Sequence, residues 1–300
     1  MPHTFDGTIA AKRPDLLHGW SIEVMPRTAA KVPDFRALLP VGTRVYIAHI
    51  DGTPIEDMVA TARRLARDGF VVMPHFPARL IADKAMLEDW IARYQGEAGV
   101  HQALVLAGGL NKPVGAFDSS MALLETGAFL KAGFTRLHVA GHPEGNRDID
   151  PDGATHQADA ALRWKAQYAT DTGVAMAITT QFVFEAAPVT AWIERLRAQG
   201  VDLPVHVGVA GPAKLQTLLK FAIACGVGPS LKVLQKRARD LSKLLVPYEP
   251  DQLVADLDAA AARNPATAPE LVHFFPLGGI VNCTDWAHQQ GAGRLRAVAG

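Results

Sequence analysis

Two cysteines in 300 residues cannot build a disulfide framework, and Cys225 and Cys283 do not stand in a CxxC spacing. This argues against a zinc site or a redox dithiol and fits a reducing, cytoplasmic setting. Long apolar runs are also missing, for none approaches the ~20 residues that a bilayer-spanning helix requires. The opening stretch, residues 1–15, carries charges without an apolar core and so does not read as a signal peptide. No sign of charge dominates: 30 Lys+Arg balance 30 Asp+Glu, which leaves no electrostatic footprint for a nucleic-acid backbone. The expected partner is a small molecule. Metal-ligand spacings such as HExxH, a GxSxG nucleophile elbow, a P-loop and a GxGxxG opening a helix after the first strand are all absent.

What is present is apolar and periodic. Hydrophobic residues make up 49% of the chain, enough for one large domain, residues 1–300, to hold a core without disulfides or a structural metal. Eight short runs rich in β-branched residues read as strands, at 20–26, 43–50, 70–77, 102–109, 135–144, 175–184, 204–211 and 271–279. Helical stripes alternate with them. One runs through Ile55, Met58, Val59, Ala62, Leu65 and Ala66, with Thr53 and Glu56 as a capping box, Pro54 at the first helical position and Gly69 beyond the end. Others run through Met86, Leu87, Trp90, Ile91 and Tyr94, through Val189, Trp192, Ile193 and Leu196, and through Leu215, Leu218, Leu219, Ala222 and Ile223, ending near Gly96, Gly200 and Gly226. Eight such units predict an α/β fold, a closed parallel (βα)8 TIM barrel. A doubly wound open sheet is the alternative. Residues 227–265 hold two helical patterns without a strand, so extra helices are expected before the last strand. Lys236, Arg237, Arg239 and Lys243 lie in the first of these, as a solvated face or as an anion-binding patch.

In a barrel strand alternate side chains point inward, and those near the carboxyl end reach the mouth where barrel enzymes place their chemistry. By this parity Glu23 points inward between Ile22 and Val24, with no cation in its own strand. An isolated buried carboxylate responds by holding its proton more tightly, which suits a general acid. Gln181, His75 and His142 also stand inward near strand ends, whereas His138, His206 and His273 read as ordinary core or surface histidines. The loops 107–120 and 141–155 are long and rich in Gly, Pro and Asn, and Gly108 and Gly109 would let backbone approach a flat ligand. No strand carries the lysine that a Schiff-base lyase or aldolase would use.

These residues resemble the methylenetetrahydrofolate reductases. SIEVMPR (21–27) is similar to the family's SFEFFPP, AGHPEGN (140–146) to AxYPExHP, ITTQFVF (178–184) to ITQFFF and VHFFPLG (272–278) to FHFYTLN, with MPH (73–75) between the first two. Gln181 and Phe221 match the family's folate-holding Gln and Phe at the family's own separation. The resemblance implies a (βα)8 oxidoreductase interconverting 5,10-methylenetetrahydrofolate and 5-methyltetrahydrofolate, with NADH or NADPH as electron source and bound FAD as intermediary in ping-pong order. It implies that Glu23 protonates N10, that Gln181 bonds the pterin edge and that Phe221 packs on the p-aminobenzoate ring. For the flavin it implies His75, Ala140, His142 and Asp159, with Lys165 standing in for the family's lysine. Three departures from the pattern stand out: Ala107-Gly108-Gly109 replaces Arg-Gly-Asp, removing a carboxylate; Asn146 replaces a histidine; and a four-residue excess between Asp159 and Gln181 displaces the family's lysine. Direct hydride transfer from nicotinamide without flavin, and a folate-binding or methyl-transfer component without redox chemistry, are the alternatives. The choice of nicotinamide, the direction of reaction and assembly into a homo-oligomer stay open.

Overall fold

The computed structural model describes residues 16–225, 234–235 and 246–292. The eight strands form a closed, all-parallel barrel in sequence order: β1 Ser21–Val24, β2 Arg44–Ile47, β3 Val71–Pro77, β4 Gln102–Leu106, β5 Arg136–Gly141, β6 Ala175–Val183, β7 Val205–Ala210 and β8 Leu271–Phe275. Each lies inside one of the eight apolar runs. β1 returns to β8 through Ser21–His273 and Ile22–Phe274 pairing, which closes the ring. The described helices are α1 Pro26–Ala29, α2 Ile55–Arg67, α3 Lys84–Ala98, α4 Ser120–Glu125, α5 Ala128–Lys131, α6 His156–Thr172, α7 Ala186–Ala198, α8 Leu215–Ala224, α9 Asp251–Arg263 and α10 Ile280–Gln289. α9 falls within 227–265, where the pattern predicts helices without a strand between them. The first of that region's two patterns, with Lys236, Arg237, Arg239 and Lys243, lies outside the described residues.

Strand parity divides the core. Residues such as Ile22, Val45, Val72, Val105, Leu137, Ile178, Val207 and Phe274 face outward and are buried beneath Met58, Leu65, Leu87, Trp192 and Leu196 of the helices. Each such side chain contributes roughly 1.5–3 kcal/mol when fully buried, so this layer between sheet and helices is what holds the fold. The opposite parity fills the barrel and is unusually polar. Tyr46, Met73 and Leu104 form its small apolar cluster, and Ser21, His138, Thr179, His206 and His273 are buried beside them.

Helix ends differ in part from the sequence reading. α2 begins one residue later than the capping box requires: Pro54 is the N-cap and no side chain caps the helix. Glu56 instead accepts from Arg93 of α3 at 2.8 Å. α3 runs past Gly96 and ends at Gly99, whose φ of 61° supplies the left-handed turn. The start of α6 is capped from a distance, with the Asp150 carboxylate accepting from the backbone N–H groups of Gln157 and Ala158. A cap seven residues upstream leaves no spacing signature.

Candidate functional site

The carboxyl ends of the strands put Glu23 at the top of β1. Its partner across the mouth is His75 near the end of β3, with His75 Nε2 3.2 Å from Glu23 Oε2. The sequence expectation of an unaccompanied carboxylate is corrected, because strand parity sees only a residue's own strand and not the neighbour two strands away. The imidazole is 8% exposed and the carboxylate 19%. His75 Nε2 has no other partner among the described residues, and its angles to Glu23 fall outside those of an aligned hydrogen bond.

Below this pair the middle of the barrel is hydrogen-bonded, and the Arg44 and Arg136 charges nearer the floor act on it. Tyr46 Oη lies 2.6 Å from His138 Nδ1 and 3.2 Å from Thr179 Oγ1. Ser21 Oγ lies 2.9 Å from His273 Nδ1. Burial pushes the Tyr46 phenol up and the His138 and His273 imidazoles well down, so all three are neutral near pH 7. Nearer the floor His206 Nε2 meets the half-exposed Glu270 at 2.7 Å. Burial holds the imidazole down while its hydrogen bond holds the Glu270 carboxyl down, which describes a neutral imidazole donating to an ionised carboxylate. His138, His206 and His273 are therefore structural, as the sequence suggested.

The other half of the mouth is aromatic. Phe182 of β6 stacks edge-on to Phe275 of β8 at 5.5 Å, and Phe275 stands 4.9 Å from the His273 ring. Phe182, Phe184, Ala210, Leu218 and Tyr248 form a second apolar cluster, and Phe221, Cys225 and Leu277 pack on it half-buried. Phe221 and Cys225 are four residues apart and so share one face of α8. The Cys225 thiol is raised to about 11 by burial first and by the Glu23 carboxylate second. The end of α8, one turn beyond Phe221, therefore lies within electrostatic reach of Glu23. Sequence reasoning missed Cys225, although its position one turn beyond Phe221 was a usable signal.

Gln181 is placed by an irregularity. The β6–β7 register slips between Thr179 and Phe182, a β-bulge, which re-aims side chains near a strand end. Gly208 makes it fit: a Cβ there would lie 2.6–2.7 Å from the Thr180 and Gln181 backbone. Thr180 Oγ1 accepts from Gly208 N–H at 2.8 Å and ties the bulge to β7. Gln181 Oε1 turns back to accept from Phe182 N–H at 3.0 Å. Its amide nitrogen has no hydrogen bond among the described residues.

The positions assigned to the flavin by resemblance do not form one contact set. Ala107 accepts from Arg79 N–H through its carbonyl, and Gly108 takes a φ of 93° with Pro77 close behind it. Gly109 has open space where a side chain would begin. Ala140 of β5 pairs with Thr179. Asn146 spends its side-chain oxygen on Asp148 N–H in a local turn. His142 is half-buried beside Lys165. Burial, then the Lys165 charge, lowers the imidazole to about 4, and burial lowers Lys165 to about 8. Lys165 makes no ion pair among the described residues. Asp159 accepts from Thr155 and Gln199 through one oxygen, while its buried Oδ1 has no partner among the described residues. The structure thus joins Glu23 with His75 and brings the end of α8 within electrostatic reach of Glu23; His142 and Lys165 form a separate pair, and Asp159 is held by Thr155 and Gln199.

Among the described residues no group of His, Cys, Asp and Glu has a metal-holding arrangement, and no helix is long and apolar enough to cross a membrane. These features define a (βα)8 barrel with a carboxylate–imidazole pair and an aromatic wall at its mouth. No family model matches the chain. Among solved structures it is similar to an uncharacterized Clostridium thermocellum protein described as binding two copies of 5-methyl-5,6,7,8-tetrahydrofolic acid. That match has a TM-score of 0.55 at 10% identity and covers 91% of this chain and 96% of that one. The 7,8-dihydropteroate synthase of Vibrio fischeri ES114 matches with a TM-score of 0.46 at 12% identity, covering 92% and 94%. At this identity the first likeness shows the shared barrel.

Proposed function

We propose that this barrel binds a reduced folate in its mouth and interconverts 5,10-methylenetetrahydrofolate and 5-methyltetrahydrofolate, with NADH or NADPH as hydride partner. The observation that carries the reading is the pairing of Glu23 with His75 at the mouth, with the end of α8, one turn beyond Phe221, within electrostatic reach of that carboxylate. A carboxyl group there can protonate N10 of a folate whose p-aminobenzoate ring lies on Phe221, opening the imidazolidine ring to an N5 iminium cation that accepts hydride. Gln181, with an uncommitted amide, bonds the pterin edge and holds the methylene carbon in register. The Clostridium thermocellum barrel's 5-methyltetrahydrofolate supports a folate in a fold of this kind.

FAD is the intermediary that the resemblance implies. Two buried features suit it: Lys165, a cation without a paired anion, suits a phosphate, and the unbonded Asp159 Oδ1 suits a sugar hydroxyl. His142, Ala140 and Gly108 would complete the contacts. When bound, the flavin would take hydride from nicotinamide and pass it to the folate. Gly109 favours a second reading, hydride passing directly from nicotinamide, because no carboxylate stands beside the ring position. Glu23 serves as acid in both. The test is Phe221→Ala: folate affinity, followed by quenching of protein fluorescence, is expected to fall about tenfold, in line with the loss of one aromatic stack. Unchanged affinity would remove Phe221 from the site.

A further inference from the structure

We propose that His75 is the proton-holding partner of Glu23, a positioning residue that acts on the substrate only through that carboxylate. The inference rests on the folate-reductase reading of the mouth and assigns His75 a task other than touching a flavin.

The argument begins with charge. A lone carboxylate in a largely enclosed site is costly, and so is a lone imidazolium. One proton shared between Glu23 Oε2 and His75 Nε2, 3.2 Å apart, leaves the pair neutral in sum wherever the proton sits, which removes most of that cost. The groups around the pair reinforce this. Tyr46 of β2 meets the His75 ring edge-on at 6.3 Å. His273 of β8 and His49 after β2 are within electrostatic reach of His75, and Cys225 at the end of α8 is within reach of Glu23. Burial keeps every one of them in its uncharged form. None competes for the shared proton with a charge of its own. His75 Nε2 has no alternative acceptor among the described residues, and ligand-free catalytic contacts commonly align only when substrate arrives.

The pair answers a need of the reaction. Each turnover toward the methyl product consumes one proton and one hydride. A folate lying on Phe221 covers the mouth, so the proton must already be inside. Glu23 gives it to N10, the N10–methylene bond breaks, and the reduced nicotinamide's two electrons arrive as hydride at the resulting iminium carbon. If the proton resides on His75 Nε2, it first crosses to the carboxylate. The pair ends as carboxylate and neutral imidazole and reloads one proton from solvent after product leaves.

Three variants test this. His75→Gly is expected to lower kcat with folate about 10- to 100-fold, part of the effect usual for acid catalysis, while the folate KM moves less than threefold. Added imidazole should restore at least tenfold of that loss. His75→Gln, which can donate a hydrogen bond but hold no extra proton, should stay as slow as His75→Gly. Full activity in His75→Gln, no rescue by imidazole, or a loss confined to KM would overturn the proposal. Independently of turnover, 15N imidazole resonances should show His75 protonated at Nε2 in the wild type and a changed protonation pattern in Glu23→Gln. Identical resonances would overturn the pairing. A wild type without folate turnover but with this NMR response would instead overturn the reductase reading alone.

Discussion

Glu23 and the buried histidines lie in the same barrel, yet proton chemistry treats them oppositely. Glu23 keeps 19% of its side chain exposed and has His75 alongside, so it can exchange a proton. Replacing it by Gln preserves shape and removes the acid. Folate-dependent turnover is expected to fall by roughly 10²–10⁴, the usual worth of a positioned acid, and steady-state assay of purified Glu23→Gln checks this. His138 and His273 are sealed in, with imidazoles held well below their ordinary range by burial. The unfolded chain takes up protons on these residues below about pH 6.5 while the folded chain does not. Their contribution to stability is therefore present above that pH and is lost as the pH falls, at about 1.4 kcal/mol per unit for each residue. Urea titrations at pH 7.5, 6.5 and 5.5 should show steady loss below 6.5. A flat profile would mean that the barrel interior accepts charge.

At the scale of elements, the bulge in β6 and the buried stem of α6 make separate demands. Gly208→Ala would force a Cβ into the Thr180–Gln181 backbone, 2.6–2.7 Å away. The expected result is a destabilisation of about 1–3 kcal/mol together with a raised folate KM, since Gln181 moves with the bulge; an unchanged KM would separate Gln181 from folate. Lys165 stands at the opposite balance. Its pKa of about 8 rather than 10.5 means that the folded state carries a charge it would rather lose, a strain relieved as the pH rises through 8. Lys165→Met is expected to raise the stability of ligand-free protein by about 1–3 kcal/mol and to abolish retention of any flavin, both readable by thermal melting and absorbance. The strands were legible because each is a single apolar run between turn residues, and Glu23 was legible because parity alone turns it inward. The Glu23–His75 contact, the Asp150 cap and the Glu270 partner of His206 were not. Each joins residues from different elements, and only the closed barrel sets their distance.

The molecule as a whole divides its labour between two layers. Outward strand residues and the helices carry the hydrophobic stabilisation, which frees the barrel interior to hold polar side chains and the mouth to hold an acid. That division allows a chain only 10% identical to another barrel to share its architecture. The most direct measurement is the anaerobic visible and near-ultraviolet spectrum of the freshly purified protein during addition of reduced nicotinamide and then methylenetetrahydrofolate, run on wild type and Glu23→Gln. The account predicts oxidation of nicotinamide completed only after folate is added to wild type, with any flavin band bleaching first and returning with folate, and no folate response in Glu23→Gln. Nicotinamide left unchanged by folate in wild type, with flavin supplied, or an equal folate response in both proteins, would contradict it.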